Sequence, residues 1–107
     1  MLKELEARSV SFDVGTDSTV VELAGAPKHP VFRDTAGTLL LDDEGRLAGI
    51  DLRGPAGSGW VVMLRPHEDV VRTEPGRSVR VAVDDDERPT VVRIPGARPR
   101  GAEMSIL

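Results

Sequence analysis

The chain has no cysteine and no tyrosine, and its only aromatic residues are Phe12, Phe32 and Trp60. The first absence excludes disulfides, thiolate metal sites and a cysteine nucleophile. Three rings are too few for a single-strand nucleic-acid platform, which stacks several bases on exposed rings set among basic residues. Charge points the same way. Acidic residues number 18 against 14 basic ones, a formal net charge of −4, whereas duplex binding requires clustered cations that release counterions from phosphates. No apolar run approaches the roughly 20 residues that cross a bilayer. The opening Met1-Leu2-Lys3-Glu4-Leu5-Glu6 places charges where a secretion signal carries its apolar stretch. The expectation is a cytoplasmic protein without nucleic-acid or membrane partners.

Catalytic sets are missing as well. His29 and His67 each adjoin a proline. His67, Glu68 and Asp69 would point to alternate sides of an extended segment, so they do not converge on a metal. Asp84-Asp85-Asp86-Glu87 lacks the spaced ligands and central glycine of a calcium loop. Gly57-Ser58-Gly59 lacks the G-x-S-x-G pattern of a nucleophile turn. Gly54, Gly57 and Gly59 lack the lysine and following helix of a phosphate cradle. No catalytic residue, metal or cofactor is expected, and the chain reads as a non-enzyme.

What the chain does have is order of period two. Val10, Phe12 and Val14 alternate with Ser9, Ser11 and Asp13, the pattern of a strand with one buried face. Gly15-Thr16-Asp17-Ser18 supplies a turn and residues 19–23 a second strand. Residues 31–34 suit a short edge strand after the Pro-rich stretch 26–30. Residues 38–41 and 46–52 flank Asp42-Asp43-Glu44-Gly45, where Gly45 can adopt the left-handed conformation that closes a hairpin. Residues 60–64, 70–73, 78–83 and 90–94 complete the set, and residues 2–8 suit a helical turn, with Leu2 and Leu5 three apart. About 7–9 short strands punctuated by turns predict an all-β domain, a small antiparallel β-sandwich or barrel. The β domain is expected over residues 1–96 and a linker or tail over residues 97–107.

Residues 9–25 and 78–96 can be laid over one another, each running strand, polar turn, then Thr-Val-Val-x-Leu/Ile-x-Gly. The match suits a pseudo-symmetric fold, and it equally suits two unrelated Val-rich hairpins. Twelve arginines against two lysines, with abundant Gly, Ala and Val, resemble the output of a GC-rich bacterial genome.

The stretch FDVGTDSTVVEL, followed by GTLLLDDEGRLAGIDLRG, resembles a family of short bacterial β-rich domains of unknown function. Those domains open on a Tyr-Asp strand and carry a signature D-x-D/E-G-R-L-V-G-I-E-I. The matching residues are Phe12 and Asp13, then Asp42, Glu44, Gly45, Arg46, Leu47, Gly49, Ile50 and Asp51, with Phe12 in place of the tyrosine. The resemblance covers residues 12–54 and implies a β-rich fold without an assigned activity.

Binding signals remain. Trp60 starts a strand with Val62 and Leu64, where it either joins the core or serves a partner contact, for which tryptophan is favoured. Arg65, Arg72, Arg77 and Arg80 surround apolar pairs and suit a basic face for an acidic partner, or guard a strand edge against pairing. Met104, Ile106 and Leu107 end the polar tail with an apolar tip, able to dock in a partner's groove or fold back on the domain. Together these features predict a protein-interaction module, an adaptor, regulator or immunity-type binder that contacts another protein or a second copy of itself. Two other readings stand beside it. One is a small-molecule or ion-binding β-barrel with inward polar groups such as Glu22 or Asp51; the other is a structural subunit of a homo-oligomeric assembly.

Overall fold

The structure, a computed structural model, describes residues 4–52, 59–64 and 69–99. Among them every regular element is a strand: β1 (Glu4–Glu6), β2 (Ser9–Asp13), β3 (Ser18–Glu22), β4 (Arg33–Leu41), β5 (Leu47–Asp51), β6 (Val61–Met63), β7 (Arg72–Val83) and β8 (Pro89–Pro95). They form one sheet in the order β1-β6-β5-β4-β7-β8-β3-β2, curled into a half-barrel. All neighbours are antiparallel except β1 and β6. The all-β expectation holds.

The expected helical turn at residues 2–8 is instead strand β1 within the described residues. Seven residues cannot offset helix nucleation alone, whereas the edge of β6 offers ready backbone partners. β1 half-buries Leu5 between exposed Glu4 and Glu6. The chain then passes from one end of the sheet to the other within two residues. Ala7 N donates to Met63 O of β6 at 2.9 Å, and Arg8 N donates to Glu22 O of β3 at 2.8 Å. Consecutive peptides thus clasp the two sides of the curled sheet.

Two pairs of expected strands are fused. Residues 31–34 and 38–41 contribute to a nine-residue β4 that lies between β5 and β7, so it is central and not an edge. Gly37 makes this position possible, because a Cβ there would stand 3.0 Å from Ile50 Cδ1. Residues 70–73 and 78–83 feed the twelve-residue β7, which passes through Pro75-Gly76. There Gly37 faces Arg77 and Leu39 faces Glu74, so two residues of β7 oppose one of β4. Gly76, at φ 73°, absorbs this bulge. Val14, predicted on the buried face of the first strand, lies beyond β2 and is exposed.

The repeated segments occupy adjacent places. Hairpins β2–β3 and β7–β8 join through β3 and β8, with Val21 opposite Val92 at the centre. Thr19 faces Ile94, and in the equivalent exchange Leu23 N donates to Thr90 O at 2.8 Å. The interior gathers Val21, Leu39, Leu41, Ile50, Val79 and Ile94 with their neighbours. A small outer cluster of Val20, Ala82 and Val91 is covered by Phe32.

Candidate functional site: an arginine-lined cleft

A cleft of about 600 Å³ opens between the β4–β5 turn, the first half of β7 and the strap of residues 96–99 that follows β8. Each wall follows from local sequence. At the turn, Asp42 N donates to Arg46 O at 2.9 Å and Gly45 N to Asp42 O at 3.1 Å, while Asp42 Oδ1 accepts from the backbone N of Glu44 and Arg46, each at 2.9 Å. This closed loop, with Gly45 at φ 76°, fixes Arg46 at its exit.

On β7 the bulge decides which residues face inward. Leu39 and Leu41 are buried, and their partners across the sheet are Glu74 and Arg72, which therefore share the concave face. Beyond the bulge the parity reverses, so Arg77 joins that face in line with buried Val79 and Val81. Arg80 falls on the opposite face, where it meets Asp34 at 3.3 Å. The basic face expected from Arg65, Arg72, Arg77 and Arg80 is thereby split: Arg72 and Arg77 line the cleft, Arg80 does not, and Arg65 lies outside the described residues.

The strap supplies the third wall. Gly96 N donates to Asp17 O at 2.8 Å, and Leu47 N donates to Arg98 O at 2.8 Å. The buried Thr19 hydroxyl donates to Ala97 O, and Leu47 bridges Pro99. Residues 97–99, assigned by composition to the linker, thus lie against the barrel, because buried Ala97 and these backbone bonds offset the cost of ordering them. The Arg98 guanidinium sits 4.8 Å from the centre of the Phe12 ring.

Among the described residues four arginines, Arg46, Arg72, Arg77 and Arg98, line the cleft against two carboxylates, Asp17 and Glu74, a surplus of two positive charges on a chain of net charge −4. Arg77 is engaged with Glu74 Oε1 and Pro95 O at 2.9 and 2.8 Å. Arg46 lies 3.7 Å from Glu44 and is half exposed. Among the described residues, Arg72 and Arg98 carry no ion-pair partner. Arg72 lies over Gly45 and Arg77 over Gly96; a Cβ at either glycine would stand 3.3 and 3.2 Å from the guanidinium nitrogens.

Trp60 is half-buried ahead of β6, its carbonyl accepting from Leu52 N at 2.8 Å, and it does not line this cleft. Met104, Ile106 and Leu107 lie outside the described residues. Glu22 is exposed and Asp51 half-buried, and neither lines the cleft. Arg46 and Arg98 were missed as site residues. The signal for Arg46 was its place at the hairpin exit; for Arg98, only the fold brings the strap back. Among the described residues no group of three or more His, Asp or Glu could hold a metal ion, and no helix is long and apolar enough to cross a membrane.

No family model, curated protein or solved structure matches this chain.

Proposed function

We propose that this chain is a non-enzymatic interaction module whose docking surface is the arginine-lined cleft, and that the cleft receives an acidic segment of another protein. The observation that carries this reading is the local surplus of arginine on an acidic chain. Guanidinium forks pair with carboxylate and phosphate groups in bidentate geometry, and a basic patch steers acidic partners to itself. An exposed apolar pair adds to it: Val70 and Val71, 41% and 66% exposed, immediately precede Arg72 in the chain, and exposed apolar side chains suit a protein ligand.

The test is affinity capture from cells with the tagged full chain and with a variant carrying Arg46→Glu and Arg72→Glu. The full chain retains a partner that the variant loses, and retention falls as salt rises from about 0.1 to 1 M, where the screening length shrinks from about 10 to 3 Å. Identical retention by both versions, or recovery of the bait alone, overturns the reading.

A second reading is a small-molecule-binding barrel. The cleft volume of about 600 Å³ falls inside the roughly 300–1,000 Å³ range of small-ligand sites. A rise in melting temperature with an anionic metabolite, absent in the same variant, selects this alternative.

A further inference from the structure

We infer that the anionic group anchored in the cleft is a phosphomonoester on the docked segment, held by Arg72 and Arg98 with help from Arg46. This rests on the docking reading above and names the chemistry of its anchor.

Charge comes first. Arg77 and Glu74 satisfy one another at 2.9 Å and Arg46 shares its charge with Glu44 at 3.7 Å, which leaves Arg72 and Arg98 as the lining arginines without an ion-pair partner among the described residues. Those two guanidiniums carry two positive charges. A phosphomonoester carries about −1.5 to −2 at neutral pH, whereas one carboxylate leaves half of that charge unmatched. The apolar floor sharpens the requirement. Phe12, Leu39 and Leu41 lie beneath the cleft and are almost fully buried. Beside such a surface unmatched charge is poorly screened.

Shape comes second. The three arginines arrive from three separate elements: Arg46 from the β4–β5 turn, Arg72 from β7 and Arg98 from the strap. A carboxylate offers two oxygens in one plane and suits a single fork. A phosphoryl group offers three oxygens that are not coplanar, so cations on different walls can each reach one. The receptor is also built in advance. Arg98 is stacked on Phe12 with its backbone bonded to Leu47. Arg72 lies over the bare backbone of Gly45, whose turn is closed by Asp42. Pre-positioned groups lose less freedom when the ligand arrives.

The experiment is calorimetric titration of the full chain with three peptides of one sequence, Ala-Leu-X-Leu-Ala, in which X is phosphoserine, glutamate or serine, and with inorganic phosphate alone. The phosphoserine peptide is expected to bind at least about tenfold more tightly than the glutamate peptide. Arg72→Ala is expected to weaken it about tenfold or more, the loss of one charge-assisted pair, and Arg98→Lys to weaken it by a smaller factor. Arg98→Lys keeps the charge and removes the fork, and circular dichroism of both variants confirms that they fold. Equal binding of the glutamate and phosphoserine peptides overturns the phosphate anchor and leaves the acidic-segment reading in place. Inorganic phosphate binding as tightly as the phosphopeptide overturns the segment and points to a small-anion site. If no peptide binds while the captured partner still depends on Arg46 and Arg72, the phosphate inference alone falls.

Discussion

Thr19 is wholly inaccessible, and its hydroxyl donates to the carbonyl of Ala97, many residues away in sequence. A valine of the same shape would fill the space but leave that carbonyl without its donor. Thr19→Val is therefore expected to cost about 1–2 kcal/mol in urea unfolding, within the usual penalty for a buried acceptor that loses its partner. It is also expected to weaken ligand binding, because Arg98 hangs from the strap that Thr19 secures. A variant with unchanged stability would show that the backbone bonds at Gly96 and Leu47 hold the strap unaided. The sequence displays Thr19 only as one more threonine in a strand. Its partner depends on the path of the chain after β8.

At the scale of elements, two hairpin turns share one construction. In the second, Asp84 N donates to Arg88 O at 2.9 Å and Glu87 N to Asp84 O at 3.0 Å, while Asp84 Oδ1 accepts from Asp86 N and Arg88 N. This matches Asp42 to Arg46 residue for residue, with Glu87 at φ 61° where the first turn has Gly45. Asp42 is 4% exposed, whereas the Asp84 side chain is 34% exposed. Asp42→Ala is expected to lower stability by about 2 kcal/mol and Asp84→Ala by about 1 kcal/mol or less, since water replaces the lost acceptor only at the second site. Chemical denaturation of both variants checks the order, and a larger loss at Asp84 would contradict it. Gly49 makes a different demand. A Cβ there would stand 2.7 Å from Val62 O and 2.9 Å from Met63 Sδ, so Gly49→Ala forces β5 and β6 apart at an expected cost of about 1–3 kcal/mol, read as a lower melting temperature. The turn at residues 42–46 was legible in sequence, because Asp and Gly occupy the places that hairpin geometry asks of them. The bulge in β7 was not. Pro75-Gly76 resembles an ordinary break until β4 lies beside it.

For the molecule as a whole, the clasp at Ala7 and Arg8 decides how the curled sheet is finished. β1 is three residues long and parallel to β6, a slightly weaker pairing than an antiparallel one, yet it is the strand that covers the β6 edge among the described residues. Removing residues 1–8 is expected to lower the melting temperature by roughly 5–10 °C, equivalent to about 1–2 kcal/mol for a domain of this size. The same truncation is expected to increase self-association, because an uncovered strand edge pairs with another chain. Light scattering beside thermal denaturation reads both effects; a truncated chain that stays monomeric with unchanged stability would show that the clasp is dispensable.

Alternation of Val, Leu and Ile with polar residues was enough to determine an all-β chain, the β2–β3 and β4–β5 hairpins and most inward-facing side chains, because side-chain direction along a strand is a local property of period two. The absence of cysteine likewise excludes disulfide and thiolate chemistry within this sequence without reference to any fold. Tertiary structure alone decided the sheet order, the fusion of short strands into β4 and β7, and the cleft itself. A bulge opposite Thr38 switches the parity of β7, sending Arg72 and Arg77 to one face and Arg80 to the other. Arg98 joins them only because the strap crosses back to Leu47. Pairing register and chain crossing are set by contacts between residues far apart in sequence, and local periodicity carries no information about them.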